Sequence, residues 1–130
     1  MFKRLSKILL RTSAVSYGAS VILLLFFYRP NPNTHDGGQG IVLLIIGCFY
    51  ATFIQLLSSL TLFLNLSETI RLDKALRTIS FLLLPTIILI YLLLTQNNEL
   101  FFIINAATYL ATLLFFYIKF SKTINTEVIE

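Results

Sequence analysis

At 130 residues, 57% hydrophobic and only 12% charged, with a mean hydropathy of +0.85, the chain lies well outside the soluble globular range. The length allows one domain, and the net charge of +4 sits in clusters beside apolar runs. Little folded surface is left to track phosphates, which argues against a nucleic-acid partner and for a lipid bilayer as the surroundings.

Residues 1–11, MFKRLSKILLR, are basic, with Phe2, Leu5, Ile8 and Leu9 interleaved. They look like the start of a signal sequence. The apolar stretch behind them runs to Tyr28, however, too long for a signal core, and Tyr28-Arg29-Pro30 stands where a small-x-small cleavage site would be. The reading is an uncleaved first helix over about 8–28, with Arg11 snorkelling to the interface. Ser13, Ser16, Tyr17 and Ser20 share one face of it. Residues 29–40, RPNPNTHDGGQG, read as an outer loop, because their prolines and glycines disfavour helix and strand. His35 and Asp36 are too few for a zinc site, which takes three or four ligands, and Asp36 before Gly37 reads as a turn residue.

The second helix, over 41–66, is the longest apolar run: about 26 residues without a charge. A helix needs roughly 20 to cross a hydrocarbon core. Gly47, Ala51, Gln55 and Ser58 recur at i, i+4, i+8 and i+11 as a helix-packing stripe, extended by Asn65. Gln55 falls near mid-depth, where facing lipid would be costly, so the stripe calls for neighbouring helices. The lone Cys48 reads as a small buried hydrophobe.

Residues 67–75 form a cytoplasmic loop. Glu68 with Arg71, and Asp73 with Arg77, stand at helical pairing distances, which favours a short interfacial helix. A third helix over 76–95 is broken near its middle by Pro85. TQNNE, residues 95–99, is a tight polar turn before a fourth helix over 100–120, whose Asn105, Thr108, Tyr109 and Thr112 share a face. The polar tail, 121–130, is expected to fray.

These elements predict an all-α membrane protein, an antiparallel four-transmembrane-helix bundle with both termini cytoplasmic. That orientation leaves Arg29 alone of the ten Lys and Arg on the outside. The third helix should pack on the fourth and the second on the third, with the first held less tightly behind its longer loop. Abundant Ile, Phe and Asn point to an AT-rich bacterial genome, and so to the bacterial inner membrane.

Tyr17, Gln55, Thr86 and Tyr109 all fall near mid-depth and are expected to converge in a polar midplane cluster. Such a cluster serves either interhelical hydrogen bonding or a small pathway. The chain is similar in span count to the small multidrug-resistance exporters, but their membrane-embedded Glu has no counterpart, since the first span offers only Ser, Thr and Tyr. No Asp, Glu, Lys, Arg or His lies deep in a span, and no phosphate loop, metal motif or paired intramembrane acid is present. The expected function is therefore non-catalytic, with no catalytic residue, cofactor or metal. The protein would bind another membrane protein or itself, as an accessory subunit or immunity-type protein; the alternative is a small oligomeric permease or channel.

Overall fold

The basic start of the chain is already helical. A computed structural model describes residues 1–27, 37–95 and 100–129, and every regular element among them is a helix. They are α1 (Phe2–Phe27), α2 (Gly37–Ser58) with a 3₁₀ continuation (Ser59–Leu66), the short α3 (Glu68–Leu72), α4 (Lys74–Thr95) and α5 (Leu100–Ile129). Four of these helices are long and apolar enough to cross a membrane, at mean hydropathies of 1.7, 2.3, 1.6 and 1.9. The outer-loop residues 29–36, with His35 and Asp36, and the turn residues 96–99 lie outside the described residues.

α1 begins at Phe2 rather than near residue 8, because its basic segment has a buried face of its own. Leu5, Leu9, Thr12, Ser16, Ser20 and Leu24 form one buried line at i, i+3 and i+4 steps, and Phe2 stacks on Phe63 at 5.3 Å. α1 packs chiefly on α5, the most extensive helix pairing among the described residues, and next on α2. The first helix thus takes part in the most extensive pairing, where its loop length suggests a looser hold. A long loop sets only the entropy of closure, a slow function of length; the contact is set by the faces that meet.

α2 starts at Gly37, inside the segment read as loop, and changes to 3₁₀ winding after Ser58. The cause is local. Ser58 Oγ and Ser59 Oγ both donate to the Gln55 carbonyl, at 2.7 and 3.0 Å, competing with the backbone amide that an α-turn would place there. Further along, Asn65 Nδ2 donates to the Leu62 carbonyl at 2.9 Å. Asp73 then separates α3 from α4 in an extended conformation, and its Oδ1 accepts from the Ala75 and Leu76 amides at 2.7 and 3.0 Å. It is an N-cap for α4, not the ion-pair partner of Arg77 expected from spacing.

α4 runs through Pro85 without interruption, so the expected break is absent; Pro85 is buried. α5 continues to Ile129 instead of fraying after Phe120, because Phe120 and Ile124 are buried at 3% and 2% exposure. The apolar core gathers Leu5 and Leu9 of α1, Leu62, Phe81 of α4, and Tyr109, Leu113, Tyr117, Phe120 and Ile124 of α5. Phe81 is its hub, with ring centroids 5.3 Å from both Tyr117 and Phe120.

Candidate functional site

The hydrogen-bonded buried polar groups fall mainly into two layers, while Thr12 Oγ1 and Ser16 Oγ on α1 are buried without a partner among the described residues. The upper layer joins α1, α2 and α5. Tyr109, fully buried, donates from its hydroxyl to Ser59 Oγ at 3.0 Å, and Ser59 Oγ donates in turn to the main-chain carbonyl of Gln55. Asn105 Nδ2 reaches Thr52 Oγ1 at 3.4 Å. Thr108 Oγ1 lies 2.8 and 2.9 Å from the Ile104 and Asn105 carbonyls, and its hydroxyl shares a 2.6 Å hydrogen bond with that of Ser20.

The lower layer joins the 3₁₀ segment, α3, α4 and α5 around Arg77, which is only 1% exposed. Its Nη1 donates to the Arg71 carbonyl at 2.8 Å, and its Nη2 to Ser121 Oγ at 2.9 Å and Asn125 Oδ1 at 3.2 Å. Alongside, Asn65 Nδ2 donates to Ser80 Oγ at 2.5 Å, and Ser80 Oγ to the Arg77 carbonyl at 2.8 Å. Thr78 Oγ1 lies 2.7 Å from the Lys74 carbonyl and shares a 2.5 Å hydrogen bond with the Tyr117 hydroxyl.

Both layers consist of hydroxyls, carboxamides and one guanidinium, mostly bonded to backbone carbonyls or to each other. Such a set holds helices in register; it contains no base placed to activate a nucleophile. Among the described residues no three His, Cys, Asp or Glu gather where a metal could sit. The chain matches no family model, no curated protein and no solved structure.

The residues singled out by sequence fall in different surroundings. Of the stripe, Ala51, Gln55 and Ser58 are buried, at 9%, 2% and 8% exposure. Gly47 lets α5 approach, since a Cβ there would stand 2.8 Å from Phe101 Cζ. Gln55 and Tyr109 are linked through Ser59, while Tyr17 is half-buried and sets its ring edge-on to Phe49 at 6.2 Å. Thr86 is half-buried on α4, one residue beyond Pro85.

Of the lower layer, sequence spacing found only Asn65, as the end of the stripe, and missed the centre at Arg77. The available signal was Ser121 and Asn125, four residues apart on α5, in a segment read as a polar tail.

Gln55 Oε1 and Asn105 Oδ1 are buried without a partner among the described residues, and both side chains line a recess of about 60 Å³ between α2, α4 and α5. An unpaired buried acceptor carries its full desolvation cost, whereas an apolar replacement carries none. Gln55→Leu is therefore expected to leave stability unchanged or raise it by about 1 kcal/mol, read from denaturant titration of the full chain in detergent. A loss of similar size would mean that the oxygen has a partner in the recess.

Proposed function

We propose that the chain is a multi-pass protein of the bacterial plasma membrane that acts, without catalysis, by binding another membrane protein or a second copy of itself within the bilayer, in the manner of an accessory subunit or immunity-type protein. Its four long helices form an antiparallel bundle with both termini in the cytoplasm. The antiparallel order is supported by residue pairs that run in opposite sense. Ser20 meets Thr108, whereas Arg4 shares a groove with Lys119; Thr78 meets Tyr117, and Arg77 reaches on to Asn125. The orientation is supported by the basic clusters. Those pairs bring Arg4, Lys7, Arg11, Arg77 and Lys119 to one end of the bundle, the end that the positive-inside rule places in the cytoplasm.

The observation that carries the functional reading is where the polar groups go. The buried hydroxyls and carboxamides mostly bond within the bundle, and the outward faces present large apolar side chains: Phe49, Tyr50 and Phe53 on α2, and Phe115 on α5, are all 49% exposed or more. Surfaces of that kind suit lipid or another helix; they offer little to a soluble substrate. Purification in gentle detergent of the full chain, tagged at its C-terminus and expressed at native level, is expected to retain a membrane-protein partner or a second copy in fixed stoichiometry. A stable monomer with no partner would refute the reading.

The permease alternative is favoured by one observation, the recess lined by Gln55 and Asn105, each of which has a buried oxygen without a partner among the described residues. It requires solute flux in liposomes that falls on Gln55→Leu.

A further inference from the structure

A groove of about 280 Å³ opens between the start of α1 and the far half of α5. Arg4, Lys7 and Arg11 line it from α1, and Phe116, Lys119 and Phe120 from α5. On each helix these positions follow i, i+3, i+4 or i+7 steps, so each set is a single face turned toward the other. The four cations are exposed, while Phe120 is buried at 3% exposure and forms part of the floor. From Arg4 to Arg11 the groove runs about 10 Å along α1, at 1.5 Å per residue. That length exceeds the depth of one headgroup layer, about 5–7 Å when the hydrocarbon core is subtracted from the whole bilayer. One end therefore lies among headgroups, and the end near Arg11 and Phe116 lies at the acyl boundary.

We infer that this groove binds the phosphate of an anionic membrane lipid, with the guanidinium and ammonium groups on the phosphate oxygens and Phe116 beside the first acyl carbons. The inference rests on the membrane reading above. Two features select a lipid. The cations converge on one cleft, where a merely topological set would be dispersed, and an aromatic side chain follows them toward the hydrocarbon. A zwitterionic headgroup would bring its own ammonium group among four cations, which disfavours it.

The test is a lipid titration of the detergent-purified full chain followed by native mass spectrometry, using phosphatidylglycerol, phosphatidylcholine and inorganic phosphate as separate probes. Phosphatidylglycerol is expected to bind as one saturable copy, at least ~10-fold tighter than phosphatidylcholine. The variant K7Q/R11Q/K119Q should lose that preference by ~10-fold or more, while K3Q/K74Q/K122Q, which removes the same formal charge outside the groove, should keep it.

Lys119→Gln alone supplies a milder variant, and far-UV circular dichroism checks that each variant is folded. Equal binding of the two lipids by the natural chain, or equal losses in the two triple variants, would overturn the site. Inorganic phosphate binding as tightly as phosphatidylglycerol would overturn the lipid as its occupant. Resistance of the protein to carbonate extraction tests the membrane reading separately, so failure of the site and failure of that reading are distinguishable.

Discussion

Arg77→Leu is expected to lower stability by about 3 kcal/mol and to release the last two turns of α5. The guanidinium is 1% exposed and holds three acceptors on two elements: the Arg71 carbonyl, Ser121 Oγ and Asn125 Oδ1. Hydrogen bonds to a charged donor contribute about 1.5–3 kcal/mol each when buried, but the three do not add in full. Asn125 is exposed and recovers a water, and Ser121 can turn its hydroxyl to a carbonyl of its own helix. The Arg71 carbonyl has the least prospect of replacement.

Arg77→Lys keeps the charge but lacks the planar fork that reaches two helices at once, so about half the loss is expected. Equilibrium unfolding in detergent measures the total. Hydrogen exchange across residues 119–129 reports the local release, which should appear in Arg77→Leu and be smaller in Arg77→Lys. Unchanged protection of that segment in Arg77→Leu would show that burial of Phe120 and Ile124 alone holds it.

The same arginine shows where sequence reasoning reaches and where it stops. Hydropathy and length make four long apolar helices legible, because these properties add along the chain and need no partner. Spacing within a helix is legible too: Gly47, Ala51, Gln55 and Ser58 lie on one helical face by arithmetic.

Which face meets which helix is not additive. Thr12, Ser16 and Ser20 could pack on any neighbour; that Ser20 meets Thr108 of α5 depends on the whole arrangement. Arg77 and Asp73 illustrate the error most plainly. Four residues apart, they satisfy the rule for an ion pair, yet the carboxylate serves backbone amides two and three residues on. The guanidinium turns inward to acceptors 44 and 48 residues away. A pairing rule for an isolated helix weighs only local partners, worth a few tenths of a kcal/mol, and tertiary contacts outweigh it. The groove with Lys119 was hidden for the same reason, since its halves are more than 100 residues apart in sequence.

Tyr109 separates packing from polarity in the upper layer, and its two truncations should differ several-fold. The side chain is fully buried in the apolar core, with its hydroxyl on Ser59. Tyr109→Ala opens a cavity. In a soluble core such a change costs about 3–5 kcal/mol, but part of that is transfer from water, which helices in lipid do not gain. The packing component remains, and a loss of about 2–4 kcal/mol is expected.

Tyr109→Phe removes one interhelical hydrogen bond, worth about 0.6 kcal/mol on average and at most about 1.7 in membrane proteins. Ser59 keeps its own donation to the Gln55 carbonyl, so the rest of the chain of bonds survives. Denaturant titration of both variants in one detergent gives the comparison. Equal losses would show that the hydroxyl organises the layer and that the ring is secondary. The pair also bears on function, because Tyr109→Phe preserves the bundle. If the protein works through its outward faces, partner recovery should match that of the natural chain. If it works through a polar interior, liposome flux should fall while the fold stands, since only the hydroxyl beside Ser59 and Gln55 has been removed.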